Sequence, residues 1–303
     1  MHIIPPGTKI NFFARTWVGH LLSVLMISYS IFLFVTSGDS KYGIDFVGGH
    51  EFVVNVPAEF KDDSIRAALN KSGLDNATVQ SFEAGSNQYS IRLSSDSGES
   101  KAVREKLSES LKSNLSPQVE IVKTDFVGAT VGEELKKNAM IAFVLGLLAI
   151  LGFIAFRFEF SFALGAVASI FHDVIICFGV YLFCGYSISM GTIAAALTIV
   201  GYSVNDTIVI FDRVREEIKK KKNYDLKAIM NESFNLMLDR TLVTSLLTLF
   251  SAIALYVFGG GAIADLSLFL VIGIMTGCYS TIYIACPVAI WWENLKDKRA
   301  AKA

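Results

Sequence analysis

Charge is scarce in this chain. Only 18% of its 303 residues are Asp, Glu, Lys or Arg, against about 25% in an ordinary soluble domain. The net charge of −1 excludes a general electrostatic attraction to nucleic acid. Proline is rare, at 5 residues, which excludes a proline-rich spacer. The four cysteines (Cys177, Cys184, Cys278, Cys286) show no CxxC spacing, so neither a disulfide framework nor a cysteine metal site is expected. Walker, GxGxxG, GxSxG and HExxH patterns are all missing. No catalytic residue, metal ligand set or bound cofactor is therefore expected, and no enzymatic activity. What the chain has in quantity is apolar: 52% of residues, including 23 Phe, with a mean hydropathy of +0.49. Such a composition excludes a disordered coil.

The apolar residues fall into six runs, at 17–36, 139–156, 161–183, 188–211, 241–258 and 266–290. A helix of about 20 residues crosses a ~30 Å hydrocarbon layer, and a helix satisfies its own backbone groups in lipid. Six transmembrane helices are expected. The first run exceeds the 7–15 apolar residues usual in a signal peptide, so an uncleaved span is the better reading. Inside all six runs the only ionisable acids are Asp173 and Asp206, and there is no Lys or Arg.

Basic residues set the orientation. The long segment 37–137 holds 12 basic and 16 acidic residues, and long segments do not count in the positive-inside rule. Of the other basic residues, two precede the first run, one follows the second, eight lie in 212–240 and four follow Ile290, while the short loops 184–187 and 259–265 hold none. Both termini are thus expected in the cytoplasm and 37–137 outside. The expected plan is a cytoplasmic segment 1–16, a first span 17–36, an outer domain 37–137, a five-helix membrane region 138–292 with a basic cytoplasmic loop 212–240, and a cytoplasmic tail 293–303. Arg213, Arg215 and Lys219 to Lys222 in that loop suit a helix near anionic headgroups, or simply set orientation.

The outer segment alternates strand and helix signals. Residues 51–56 read as a strand, 61–71 as a helix, 77–82 as a strand, 85–87 as a turn, 89–93 as a strand, 99–111 as a helix and 118–122 as a strand. The order βαββαβ predicts a ferredoxin-like α+β domain, with one sheet face under two helices and the other free for a partner. Just before it, Gly43-Ile44-Asp45-Phe46-Val47-Gly48-Gly49 carries paired glycines suited to a tight turn or bulge.

Ionisable groups inside a membrane usually mark ion or proton pathways. Asp206 lies five residues from the cytoplasmic end of the fourth run, roughly 7–8 Å deep, beside Asn205. Arg240 opens the fifth run on the same side, so the two can lie at similar depth and pair. A nearby cation favours the carboxylate and desolvation opposes it, which suits a protonation switch. A capped structural Asp206 and a snorkelling Arg240 are the structural alternatives. Asp173, after His172, lies roughly 18 Å in and is read either as a proton carrier or as a packing residue partnered by His172 or a hydroxyl. Gly165 and Ser169, and Gly273 and Gly277, have the four-residue spacing of close helix packing.

These residues bring a resemblance with them. The GIDFVGG segment at Gly43 to Gly49, Gly201-Tyr202-Ser203-Val204-Asn205-Asp206-Thr207, Phe211-Asp212-Arg213, Asp239-Arg240-Thr241, and Gly277-Cys278-Tyr279-Ser280-Thr281 with Ile284-Ala285-Cys286-Pro287 resemble the SecF family, within the resistance-nodulation-division superfamily. The resemblance covers nearly the whole chain. One departure is Ala129, where the family usually has proline. The resemblance implies one half of a pseudo-symmetric twelve-helix bundle completed by SecD. It implies a periplasmic domain that moves as protons cross the bacterial inner membrane, helping the exported preprotein outward. Asp206 and Arg240 carry over as proton-relay residues, and Asp173 matches a family acid. Gly43, Asp45, Gly48, Gly49 and Asn205 carry over as motif residues. The implied partners are SecD, the SecY–SecE–SecG translocon, YajC, the preprotein and the lipid bilayer, with protons as the coupling ion. A half-transporter of the same superfamily, moving a lipid or small molecule by proton antiport, is the competing expectation.

Overall fold

A computed structural model describes residues 9–75, 77–81, 87–93, 100–221 and 224–300. The expected turn at Gly85 and Ser86, and Lys222 of the basic loop, lie outside the described residues.

The elements in chain order are α1 (Thr16–Thr36), a short turn, α2 (Ile44–Val47), β1 (Gly49–Asn55), α3 (Asp62–Lys71), β2 (Thr78–Ser81), β3 (Gln88–Leu93), α4 (Ser100–Asn114), β4 (Glu120–Val127) and α5 (Ala129–Arg157). They continue as α6 (Phe160–Phe183), α7 (Met190–Lys220), α8 (Leu226–Phe258), α9 (Gly261–Ser280), a five-residue π turn (Thr281–Ala285) and α10 (Cys286–Ala300). Among the described residues six helices are long and apolar enough to cross a membrane: α1, α5, α6, α7, α8 and the continuous stretch from α9 to Arg299. Most are longer than the apolar runs. α5 starts at Ala129, ahead of the run at 139, and α7 and α8 reach into the basic loop at Lys220 and Leu226. Helix continues past the lipid because backbone hydrogen bonding does not stop where apolarity does.

The loop charges on these extensions are largely paired with one another. Arg213 meets Glu216 and Glu217, Lys220 meets Glu217, and Arg157 forks onto both carboxylate oxygens of Asp212 at 2.9 and 3.0 Å. Both long helices start on side-chain caps. At α7 a reciprocal Ser189–Thr192 box satisfies first-turn donors, and at α8 Asp225 accepts from the Lys227 amide.

The four strands form one antiparallel sheet in the order β2-β3-β1-β4. Alternation assigns its two faces. Phe52, Val54, Tyr89, Ile91 and Leu93 pack with Ile65 and Leu69 of α3 and Val103, Leu107 and Leu111 of α4. The opposite face is free only along β4, where Lys123 stands exposed and Asp125 partly exposed. Val53, Ser90 and Arg92 are buried on it, because it rests on the loop between α6 and α7. Arg92 donates from Nη1 to Ser187 Oγ at 2.5 Å and from Nη2 to Gln80 Oε1 at 2.7 Å. Burial pushes the Arg92 guanidinium below its ordinary pKa, opposed by the carboxylates of Glu51 and Asp265. Beside this seat lies an open cavity of about 640 Å³, lined in part by Lys41, Asp62, Arg66, Arg92 and Tyr256.

The glycine-flanked segment makes the rest of the joint. Gly43 N donates to Ile188 O at 2.9 Å, Ile188 N donates to Lys41 O at 2.7 Å, and Asp45 Oδ2 accepts from the Met190 amide at the start of α7 at 3.0 Å. Gly48 has φ +77°, and a Cβ there would lie 2.7 Å from Ala129 Cα. Only glycine combines that backbone conformation with so close an approach of α5.

Candidate functional site

The membrane helices bring three polar groups to two adjacent places. Asp206 sits on the buried side of α7, 4% exposed. Ser245 of α8 donates to its Oδ2 at 3.3 Å, and the Cys278 thiol of α9 lies 4.0 Å from the same oxygen. Arg240 stands five residues before Ser245 on α8 and is exposed. Its charge acts on Asp206, yet no ion pair joins the two among the described residues: the near partner of the carboxylate is a hydroxyl. Asn205 also faces outward. Asn205 and Arg240 therefore present polar groups on the outside of a helix bundle whose surface is otherwise rich in Leu, Phe, Val and Ile.

Asp173 of α6 is fully buried. Its Oδ2 accepts from Ser203 of α7 at 2.6 Å and from Ser280 of α9 at 2.7 Å. Its Oδ1 is 2.9 Å from Nδ1 of His172. The His172 Nε2 reaches Ser23 of α1 at 3.1 Å, Ser23 reaches the Tyr279 hydroxyl at 2.9 Å, and that hydroxyl donates to Gly19 O at 2.5 Å. Four helices thus meet through one polar network in an apolar bundle. Each buried polar group in it is satisfied, as burial demands.

Small residues make this approach possible. A Cβ at Gly179 of α6 would lie 1.9 Å from Ser30 Oγ of α1. One at Gly165 would lie 2.3 Å from Ala285 O, and one at Gly273 2.5 Å from Ile199. Gly277 faces Ser203. The four-residue glycine spacings are packing faces, as their ordinary use predicts. The π turn follows directly after Ser280. Such turns are uncommon and often stand at functional sites; here it adjoins Thr207, whose hydroxyl is 3.1 Å from that of Thr281.

Sequence reasoning names Asp173, Asp206 and Arg240, and offers His172 or a hydroxyl as partner to Asp173. It assigns no role to Ser23, Ser203, Ser245, Tyr279 and Ser280, although Ser203, Tyr279 and Ser280 stand inside the motifs that carry the family resemblance. A serine or tyrosine in an apolar run carries no local mark of its partner, because intrahelical bonding to a preceding carbonyl is always open to a hydroxyl. Gly19 and Gly277, one turn from Ser23 and Ser280, are a local signal, since close approach is what lets short hydroxyls reach across; Ser245 has no such glycine beside it.

Fold and site together define a polytopic membrane protein with two buried carboxylates at helix contacts and an α/β module seated on its helices. A family model described as protein export membrane protein SecD/SecF, C-terminal, matches residues 106–295. The chain is 35% identical to protein translocase subunit SecF of Thermodesulfovibrio yellowstonii, over 93% of this chain and 94% of that one. It is 37% identical to the Vibrio alginolyticus subunit of the same name, over 95% and 91%. The crystal structure of SecDF, a translocon-associated membrane protein from Thermus, superposes with TM-score 0.83 at 32% identity, covering 95% of this chain and 39% of that one. SecDF in a super-membrane-facing form superposes with TM-score 0.69 at 33% identity, over 100% and 41%. The chain belongs to the SecF family of protein export membrane proteins. It spans about two fifths of the length of the SecDF chains.

Proposed function

We infer that this chain is the membrane subunit of a protein-export complex that uses the proton motive force, with SecD, to promote late translocation of secreted proteins across the bacterial inner membrane. Both termini lie in the cytoplasm in this reading. Residues 37–137 form a ferredoxin-like periplasmic domain, an assignment supported by its antiparallel 2-3-1-4 strand order with two helices on one face. The SecY–SecE–SecG translocon, YajC and the preprotein are its further partners, and protons are its coupling ion, with no bound cofactor.

The observation that carries the reading is Asp206, a buried acid held by one hydroxyl and one thiol and within the field of Arg240. Protonation removes the charge that interacts with Arg240, and deprotonation restores it. One charge crossing 100 mV releases about 2.3 kcal/mol, and roughly 1.4 kcal/mol changes a two-state ratio tenfold. One proton per stroke is thus enough to bias a domain position. Asp173 serves the same pathway from α6. Asn205 and Arg240 support the SecD partnership: polar groups on the lipid-facing side of spans are costly, and a second bundle covering that face removes the cost. The joint from α6 and α7 to the outer sheet through Arg92, Ser187, Ile188 and Asp45 supplies the mechanical link.

In proteoliposomes holding this chain with SecD and the translocon, Asp206→Asn is expected to abolish proton-linked export while insertion and pairing with SecD persist. Full export in that variant removes the switch.

A further inference from the structure

The hydrogen bonds around His172 leave little freedom in where the hydrogens sit. The Gly19 carbonyl can only accept, so the Tyr279 hydroxyl spends its single hydrogen there. Tyr279 is then an acceptor from Ser23, which spends its own hydrogen in turn. Ser23 must accept from His172, so Nε2 carries a hydrogen. On the other side of the ring, Nδ1 and Asp173 Oδ1 stand 2.9 Å apart. Two lone pairs do not face each other at that distance, so one proton lies between them. Asp173 Oδ2 already takes the Ser203 and Ser280 hydroxyls.

The surroundings supply no other counter-ion. α1, α6, α9 and the π turn contain no Lys or Arg, and the basic residues of α7 begin at Arg213, ten residues beyond Ser203. The titratable groups near the pair are Cys177 on α6, Asp206 on α7, Cys278 and Tyr279 on α9 and Tyr283 in the π turn. None of them is cationic. A lone carboxylate in this position carries a heavy desolvation cost, and a net-neutral pair with His172 avoids it.

We propose that His172 and Asp173 act as one ionisable unit that stores a single exchangeable proton, and that Ser23 and Tyr279 position it by holding the imidazole with Nε2 protonated. In one form the proton is on Nδ1, giving an imidazolium beside a carboxylate. In the other it is on Oδ1, giving two neutral groups. Loss of that proton leaves a carboxylate facing a bare ring nitrogen, and the contact between α6 and its partners on α7 and α9 must rearrange. The inference deepens the proton relay proposed above; only its connection to export rests on that reading.

The test uses the full chain with SecD in lipid, with ¹⁵N-labelled histidine, followed by NMR of the ring nitrogens and infrared difference spectra of the carboxyl band during a pH titration. The His172 signals and an Asp173 band, identified by its loss in Asp173→Asn, are expected to move with one common midpoint. Tyr279→Phe, which releases Ser23 from donating to the ring hydroxyl, is expected to shift that midpoint while the protein stays folded. Separate midpoints for the two groups, or no titration across the range in which the protein is folded, overturn the proposal. So does a midpoint unmoved by Tyr279→Phe, as regards the positioning role. A common midpoint that survives in Asp206→Asn, together with export that survives there as well, leaves the paired site standing while the Asp206 switch falls.

Discussion

Ser203 donates to Asp173 across the α6–α7 contact at 2.6 Å, and it does so from a position three residues ahead of Asp206 on the same helix. Helix α9 repeats the arrangement in mirror order. Ser280 donates to Asp173, and Cys278, two residues earlier, faces Asp206. The two buried acids therefore share two helices. A movement of α7 against α9 alters both sites together, without any contact between the carboxylates themselves.

Removing the Ser203 hydroxyl leaves Asp173 with one hydroxyl donor in place of two. Loss of a hydrogen bond to a buried acid costs about 1.5–3 kcal/mol where the acid is charged. Ser203→Ala is expected to lower the thermal unfolding midpoint of the purified chain in detergent. An unchanged midpoint shows that this hydroxyl does not support Asp173.

Gly179 and Gly152 offer a paired comparison. A methyl at Gly179 meets Ser30, including its backbone, whereas one at Gly152 meets nothing within 4 Å. Overpacking of this kind costs about 1–3 kcal/mol, while Gly to Ala on an open helix surface gains up to about 1 kcal/mol. Thermal melts are expected to fall for Gly179→Ala and to hold or rise for Gly152→Ala. Equal shifts in both variants contradict the close packing of α1 on α6.

The seat of the outer sheet depends on Arg92. Arg92→Ala deletes its bonds to Ser187 and Gln80. At about 1.4 kcal/mol per factor of ten, amide exchange in the loop at 184–189 is expected to rise about tenfold or more, measured by mass spectrometry. Arg92→Lys restores little, because an ammonium lacks the fork that serves both partners. Unaltered exchange places the hold on the sheet elsewhere.

At Gly48 a side chain is excluded twice, by φ +77° and by Ala129 Cα at 2.7 Å from any Cβ. Gly48→Ala is expected to reduce the yield of folded protein sharply and to raise protease cleavage near residue 128. Wild-type yield and cleavage show that α5 can stand off from the turn at little cost.

By itself the sequence determined the number of spans and the order of elements in the outer segment. Long apolar runs and periods of 2 and 3.6 are local consequences of lipid thickness and of strand and helix geometry. It also marked Asp173 and Asp206, because an acid in an apolar run stands out with no knowledge of its neighbours. Tertiary structure alone decided what those acids touch. Ser280 is 107 residues from Asp173, and Ser23 is 149 residues from His172. No periodicity reports a partner at such a distance. The outward turn of Arg240 was hidden for the same reason: a residue's depth follows from its place in a run, while its direction follows from which helices pack on which face. The covered face of the sheet was hidden too, since polar Ser90 and Arg92 look like solvent-facing alternation until the α6–α7 loop is laid against them.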